Sequence, residues 1–157
     1  HDAPAIVAGK LFRWQRGTLL TYGNYPSSPD ILGGWNMPDG LEVNGFAIDS
    51  SRVFYALKGG QISVLGRDGK QIASFPGRDP LILYNGLLIY PDPYYRKLIC
   101  MDAFSYTVLA ESPLPDYLPK DENCLAVSTA ADGVVYCFLY ISSSSKFVIS
   151  RIVLKKS

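Results

Sequence analysis

The side chains that could carry a reaction are few and poorly placed for one. The only histidine is His1, so a Ser-His-Asp arrangement would depend on a base at the very start of the sequence. Cys100, Cys124 and Cys137 lack a histidine partner for the same reason. A leading histidine can chelate copper through its amine and ring, but that chemistry calls for a second imidazole, and there is none. The three cysteines lack the close spacing of a zinc site. They lie in or beside apolar runs, which leaves two readings open: small buried hydrophobes, or one disulfide with a thiol left over. Asp92 with Asp102, and Asp116 with Asp121, are possible carboxylate pairs, but nothing in the sequence sets their separation. "GRDGK" (66–70) has no Gly-Lys-Ser/Thr element and no helix after it, so it is not a phosphate loop. The expectation is a chain with no cofactor and no metal.

Recognition chemistry has better candidates. Three long connections, "NYPSSPDILGGWNMPDG" (24–40), "PDPYYR" (91–96) and "PLPDYLPKDEN" (113–123), gather Tyr25, Trp35, Tyr94, Tyr95, Arg96 and Tyr117. Tyr, Trp and Arg combine contact area with hydrogen-bonding capacity and supply most binding hot spots. The plainer reading is that these rings pack the prolines and pin the loops down. Lys+Arg number 15 and Asp+Glu 14, a formal net charge of +1, which offers no footprint for nucleic acid or an anionic surface. The longest apolar run, "GVVYCFLYI" (133–141), is far short of the ~20 residues that a helix needs to cross a bilayer, and it reads as a buried strand. The expected partner is therefore a protein or a further copy of the chain, with a glycan as the alternative, in an extracellular or cell-envelope setting.

Loops need a scaffold, and the sequence between them is β throughout. In "GGQISVLGRDGKQIASF" (59–75), Ile62 and Val64 and then Ile72 and Ser74 keep a period near two. Asp68-Gly69 between them is a hairpin signal, a tight turn in which both central residues take positive φ. The pattern recurs. "VFYALKGGQISVLGRDGKQIASF" (53–75) and "LIYPDPYYRKLICMDAFSYTVLAES" (88–112) repeat the same order of strands and turns at a spacing of roughly 35 residues. Versions of it occur in 5–23 and 134–154. A further apolar strand precedes each complete copy, which makes four strands per unit. Such units cannot bury both faces alone and must stack against their neighbours, as propeller blades do. With Pro 11 and Gly 14 scattered along the chain and no 3.6-residue apolar period, helices are not expected.

"NGLLIYPDPYYRKLICMDAFSYTVLAES" (85–112) resembles the blade of pyrroloquinoline-quinone-type (PQQ-like) repeats. Gly86 opens it, Leu88 to Tyr90 form a strand, and Lys97-Leu98-Ile99-Cys100-Met101-Asp102-Ala103 and Val108-Leu109 form the next two; Ala110 stands where that pattern has tryptophan. The copy at 59–75 is equally similar to NHL-like blades. The resemblance implies a single all-β domain, 1–157, of four-stranded antiparallel blades: 5–23 (partial), 42–75, 79–112 and 122–154. That is about three and a half blades, fewer than most closed rings hold. The expected array is partial, or completed by another chain, with an irregular β-sandwich as the alternative fold. Strand alternation sends the long connections to one end and the short turns to the other. Two functions fit: a non-catalytic binding or assembly module displaying the aromatic loops, or part of a propeller enzyme of quinoprotein or glycosidase type whose active site lies partly on other blades.

Overall fold

The computed structural model describes residues 5–7, 10–15, 18–22, 43–114, 123–130, 134–141 and 145–154. Within them every regular element is a strand. The first sheet is β1 (Ala5–Val7), β2 (Lys10–Gln15) and β3 (Thr18–Tyr22). The second is β4 (Val43–Ile48), β5 (Arg52–Leu57), β6 (Gln61–Gly66) and β7 (Gln71–Pro76). The third is β8 (Ile82–Tyr84), β9 (Leu87–Pro91), β10 (Lys97–Asp102) and β11 (Val108–Pro113). The fourth is β12 (Asn123–Ala130), β13 (Val134–Ile141) and β14 (Lys146–Val153). Each sheet is an antiparallel meander in chain order.

The sheets form a radial array rather than a sandwich. β1 lies beside β4, β4 beside β8 and β8 beside β12, so the first strands of successive sheets are neighbours, while β14 reaches across to β11. Sheet then stacks on sheet. Phe54, Ile62 and Val64 of the second sheet meet Leu88, Tyr90 and Met101 of the third. On the other side of the third sheet, Ile89, Leu98 and Cys100 meet Val135, Cys137 and Ile152 of the fourth. Alternate residues of β9 and β10 thus enter two different cores. This is why "LLIY" and "LICM" read as unbroken apolar runs, whereas the outer β7, "QIASFP", shows only half-buried and exposed positions. Each fully buried large side chain contributes about 1.5–3 kcal/mol of transfer free energy.

The turns follow local chemistry, with one departure from expectation. At Asn85 (φ 45°) and Gly86 (φ 75°) both central residues are left-handed, and Tyr84 pairs with Leu87 across a two-residue hairpin. At Asp68-Gly69 only Gly69 has positive φ (78°). There the Gly69 N–H donates to the Gly66 carbonyl at 3.1 Å and the Gly66 N–H to the Lys70 carbonyl at 3.0 Å. The result is a three-residue loop with a glycine bulge, and a separate register shift between Val64 and Leu65 leaves Ile72 as an extra residue of β7.

Candidate functional site: the long-loop end

Connections β5–β6, β7–β8 and β9–β10 leave the same end of the array and are stitched together. The Gly77 N–H donates to the Gly60 carbonyl at 3.0 Å, the Arg78 N–H to the Pro91 carbonyl at 3.0 Å and the Leu114 N–H to the Arg96 carbonyl at 2.7 Å. Glycine is required where these segments meet: a Cβ on Gly77 would lie 2.4 Å from Ile62 Cδ1 and 2.6 Å from the Tyr90 ring.

Asp92 builds the loop that carries the aromatics. Its Oδ1 accepts the N–H groups of Arg96 at 2.5 Å and Lys97 at 2.9 Å, and its Oδ2 accepts that of Tyr94 at 3.3 Å. The Tyr95 N–H donates to the Asp92 carbonyl at 3.1 Å. Closing so short a loop puts Tyr95 at φ 53°, a conformation uncommon for a bulky residue. Tertiary contacts hold it there. The Tyr95 hydroxyl donates to the Asp79 carbonyl at 3.1 Å and the Arg78 guanidinium sits 4.9 Å from its ring.

Neighbouring tyrosines therefore take opposite parts. Tyr95 is 6% exposed, whereas Tyr94 is 65% exposed. The Arg96 guanidinium, also exposed, lies 5.2 Å from the Tyr94 ring. The structure brings Tyr94 and Arg96 together at the surface and places Tyr95 beneath them as a support. Tyr25, Trp35 and Tyr117 lie outside the described residues. A ring and a guanidinium fork on a clamped loop can stack on a planar or apolar group and bind a carboxylate through two parallel hydrogen bonds.

The carboxylates are committed to turns. Asp92 and Asp102 flank opposite ends of the β9–β10 pair, in which Leu98 faces Pro91 and Asp102 faces Leu87, so they do not form a working pair. Asp102 Oδ1 accepts the N–H groups of Phe104 and Ser105, both at 2.8 Å, and these bonds lower its pKa. Asp116 and Asp121 lie outside the described residues. Cys100 and Cys137 are free and buried. Burial pushes their thiols up to about 11 and about 12, so both stay protonated and unreactive near neutral pH. The side chain of Cys124 lies outside those described. Among the described residues no group of three His, Cys, Asp or Glu side chains is placed to hold a metal, and no helix is long and apolar enough to cross a membrane.

The short-turn end holds a cluster that sequence reasoning missed. Buried Arg52 donates to Asp49 Oδ2 at 2.6 Å, to the Tyr106 hydroxyl at 3.0 Å and to the Ala103 carbonyl. Its guanidinium lies 4.9 Å from the Phe54 ring and 5.1 Å from that of Phe104. This joins the second sheet to the third. Asp49 and Arg52, three apart across a turn, were a visible ion-pair signal; the acceptors on 103–106 were not.

No protein-family model matches the chain, and no curated protein matches it. Solved structures do. The chain is similar to Sqt1 of Saccharomyces cerevisiae (12% identity, TM-score 0.56, 94% of this chain and 41% of that one). It is similar to the glutaminyl cyclase of Myxococcus xanthus (13% identity, TM-score 0.54, 95% and 71%). It is also similar to the computationally designed Ika8 protein (12% identity, TM-score 0.50, 94% and 47%). The chain thus spans about half the length of Ika8 and less than half that of Sqt1. Together with the radial stacking of meanders, these likenesses define an all-β, β-propeller-like repeat array.

Proposed function

We propose that the chain is a non-catalytic scaffold that binds a protein partner through its long-loop end, with Tyr94 and Arg96 as the central contacts. The observation that carries this reading is the exposed Tyr94–Arg96 pair on a loop immobilised by Asp92 and Tyr95. Such residues combine large contact area with little ordering cost on binding. The commitment of Asp92 and Asp102 to backbone N–H groups and the protonation of Cys100 and Cys137 favour this reading over the enzymatic one. Tyr25, Trp35 and Tyr117 are proposed for the same end, and the repeats are taken to be of PQQ-like or NHL-like kind on the residues of 85–112.

A peptide library selected against the immobilised chain provides a test that needs no prior partner. Tyr94→Ala with Arg96→Ala is expected to weaken the selected peptides by about 2 kcal/mol or more, roughly thirtyfold. Asp68→Ala with Lys70→Ala, at the other end, is expected to change binding little. Equal losses from the two pairs would reject the assignment. A glycan array probed with the same variants separates the glycan alternative.

A further inference from the structure

Arg52, Lys70 and Lys97 each answer to an acid of this chain: Asp49, Asp68 and Glu111 in turn. Arg78 and Arg96, both at the long-loop end, are held differently. Among the described residues neither makes an ion pair. Each guanidinium lies against a tyrosine ring instead, that of Arg78 at 4.9 Å from Tyr95 and that of Arg96 at 5.2 Å from Tyr94. The described acids nearby are engaged elsewhere. Both Asp92 oxygens accept backbone N–H groups, Glu111 holds Lys97 at 2.8 Å, and Asp79 packs its Cβ towards Gly45 of β4. A guanidinium whose face rests on a ring keeps its N–H edge for an oxyanion, and the ring sets its plane in advance.

The geometry points to an acidic peptide segment as the partner, with Arg96 and Arg78 each taking one of its carboxylates and an apolar or aromatic residue beside them packing on Tyr94. This rests on the loop-end reading above and adds the chemical class of the partner and Arg78 as a second anchor. The two arginines come from different connections, β7–β8 and β9–β10, yet share one support. The Arg78 N–H donates to the Pro91 carbonyl at 3.0 Å and the Tyr95 hydroxyl to the Asp79 carbonyl at 3.1 Å, which fixes one connection on the other. Neither guanidinium has to release an acid of the described chain to bind, so each carboxylate gains a charged donor at no cost in internal ion pairs. The fork of an arginine matches a carboxylate through two parallel bonds. A side-chain amide offers one acceptor and turns its own N–H groups towards the fork, and a basic residue meets like charge. With a net charge of +1 the chain has no strong overall field to draw acids in; selection happens at contact, on these two forks.

Synthetic peptide libraries presented to the immobilised chain decide the matter. They share the same apolar and aromatic positions and carry Asp/Glu, Asn/Gln, Lys/Arg or phosphoserine at the rest. The acidic library is expected to be retained in preference to the others. Replacing an engaged glutamate of a retained peptide by glutamine is expected to weaken binding about tenfold. Arg96→Gln and Arg78→Gln are expected to do the same, with far-ultraviolet circular dichroism as a check on folding, and Arg96→Lys, which keeps the charge but not the fork, is expected to lose most of that factor. Lys70→Gln, at the other end, is expected to change nothing. A double-mutant cycle between Arg78→Gln and the glutamine peptides separates direct contact from disturbance of Tyr95, since only direct contact couples the two changes. Preference for the amide, basic or phosphorylated library, with binding still lost in Tyr94→Ala, would overturn the acidic class and leave the loop-end reading standing. Acidic peptides indifferent to Arg78→Gln, or showing no coupling to it, would overturn the second anchor. Acidic peptides indifferent to Tyr94→Ala and Arg96→Gln alike, or no retention from any library, would overturn both readings.

Discussion

The third and fourth sheets are built on the same meander and pack against each other, yet among the described residues one has a neighbour on both faces and the other on one. In β10, Leu98 and Cys100 enter one core and Ile99 and Met101 the other. In β14, Ser150 and Ile152 are buried while Ile149, Arg151 and Val153 face outward. The difference teaches that apolar character along a strand does not by itself report whether both faces of its sheet are covered. "FVISRIVL" (147–154) is nearly as apolar as "LICM" (98–101), but among its described side chains only Ser150 and Ile152 are buried.

Truncation on either side of that contrast gives the largest effect. Leu98→Ala removes a fully buried side chain and is expected to cost about 2–5 kcal/mol. Ile149→Ala, at an exposed position of β14, is expected to change stability by no more than about 0.5 kcal/mol. Urea titration of both variants checks this. Similar losses would mean that the outer face of the fourth sheet is packed within one chain, and the comparison would fail.

A smaller effect is expected at the other face of the third sheet. Gly77→Ala drives a methyl group into Ile62 and Tyr90, which close the core between the second and third sheets. Overpacking of this kind costs about 1–3 kcal/mol, read as a lower urea midpoint. A neutral result would show that this core yields as easily as an exposed face.

The smallest effect concerns the polar pin that the third sheet shares with the second. Burial opposes ionisation of Asp49, but hydrogen bonds from the Ser51 N–H and from Arg52 outweigh it and lower its pKa. A depressed native pKa gives stability that is present above the unfolded value, about 3.9, and is lost as pH falls through the native one. Asp49→Asn is therefore expected to lower stability at neutral pH and to flatten its fall under acid conditions, as followed by thermal unfolding across that range. An unchanged acid limb would mean that the pin contributes nothing.

Much of the fold was legible in the chain because its causes are local. Strands declare themselves by alternation or, where both faces are covered, by unbroken apolar runs. Turns declare themselves by Asn-Gly and Asp-Gly, and four-strand units by the recurrence of both. Even so, the positive φ expected at Asp68 is absent, since the loop has three residues, 67–69, and such a loop needs a left-handed residue only at its last position, which Gly69 fills.

The candidate site was legible only as a segment. "PDPYYR" identifies a loop with aromatic and charged residues, and the sequence by itself determined that such chemistry stands between two strands. Only the tertiary structure decided that Tyr95 turns under and Tyr94 outward, because Tyr95 is held by Asp79 and Arg78 from a different connection. The same holds for Arg52, whose acceptor at Ala103 lies 51 residues away. Local sequence sets which residues can share a face; whether that face is covered depends on which sheet comes next in space, and no local pattern encodes that.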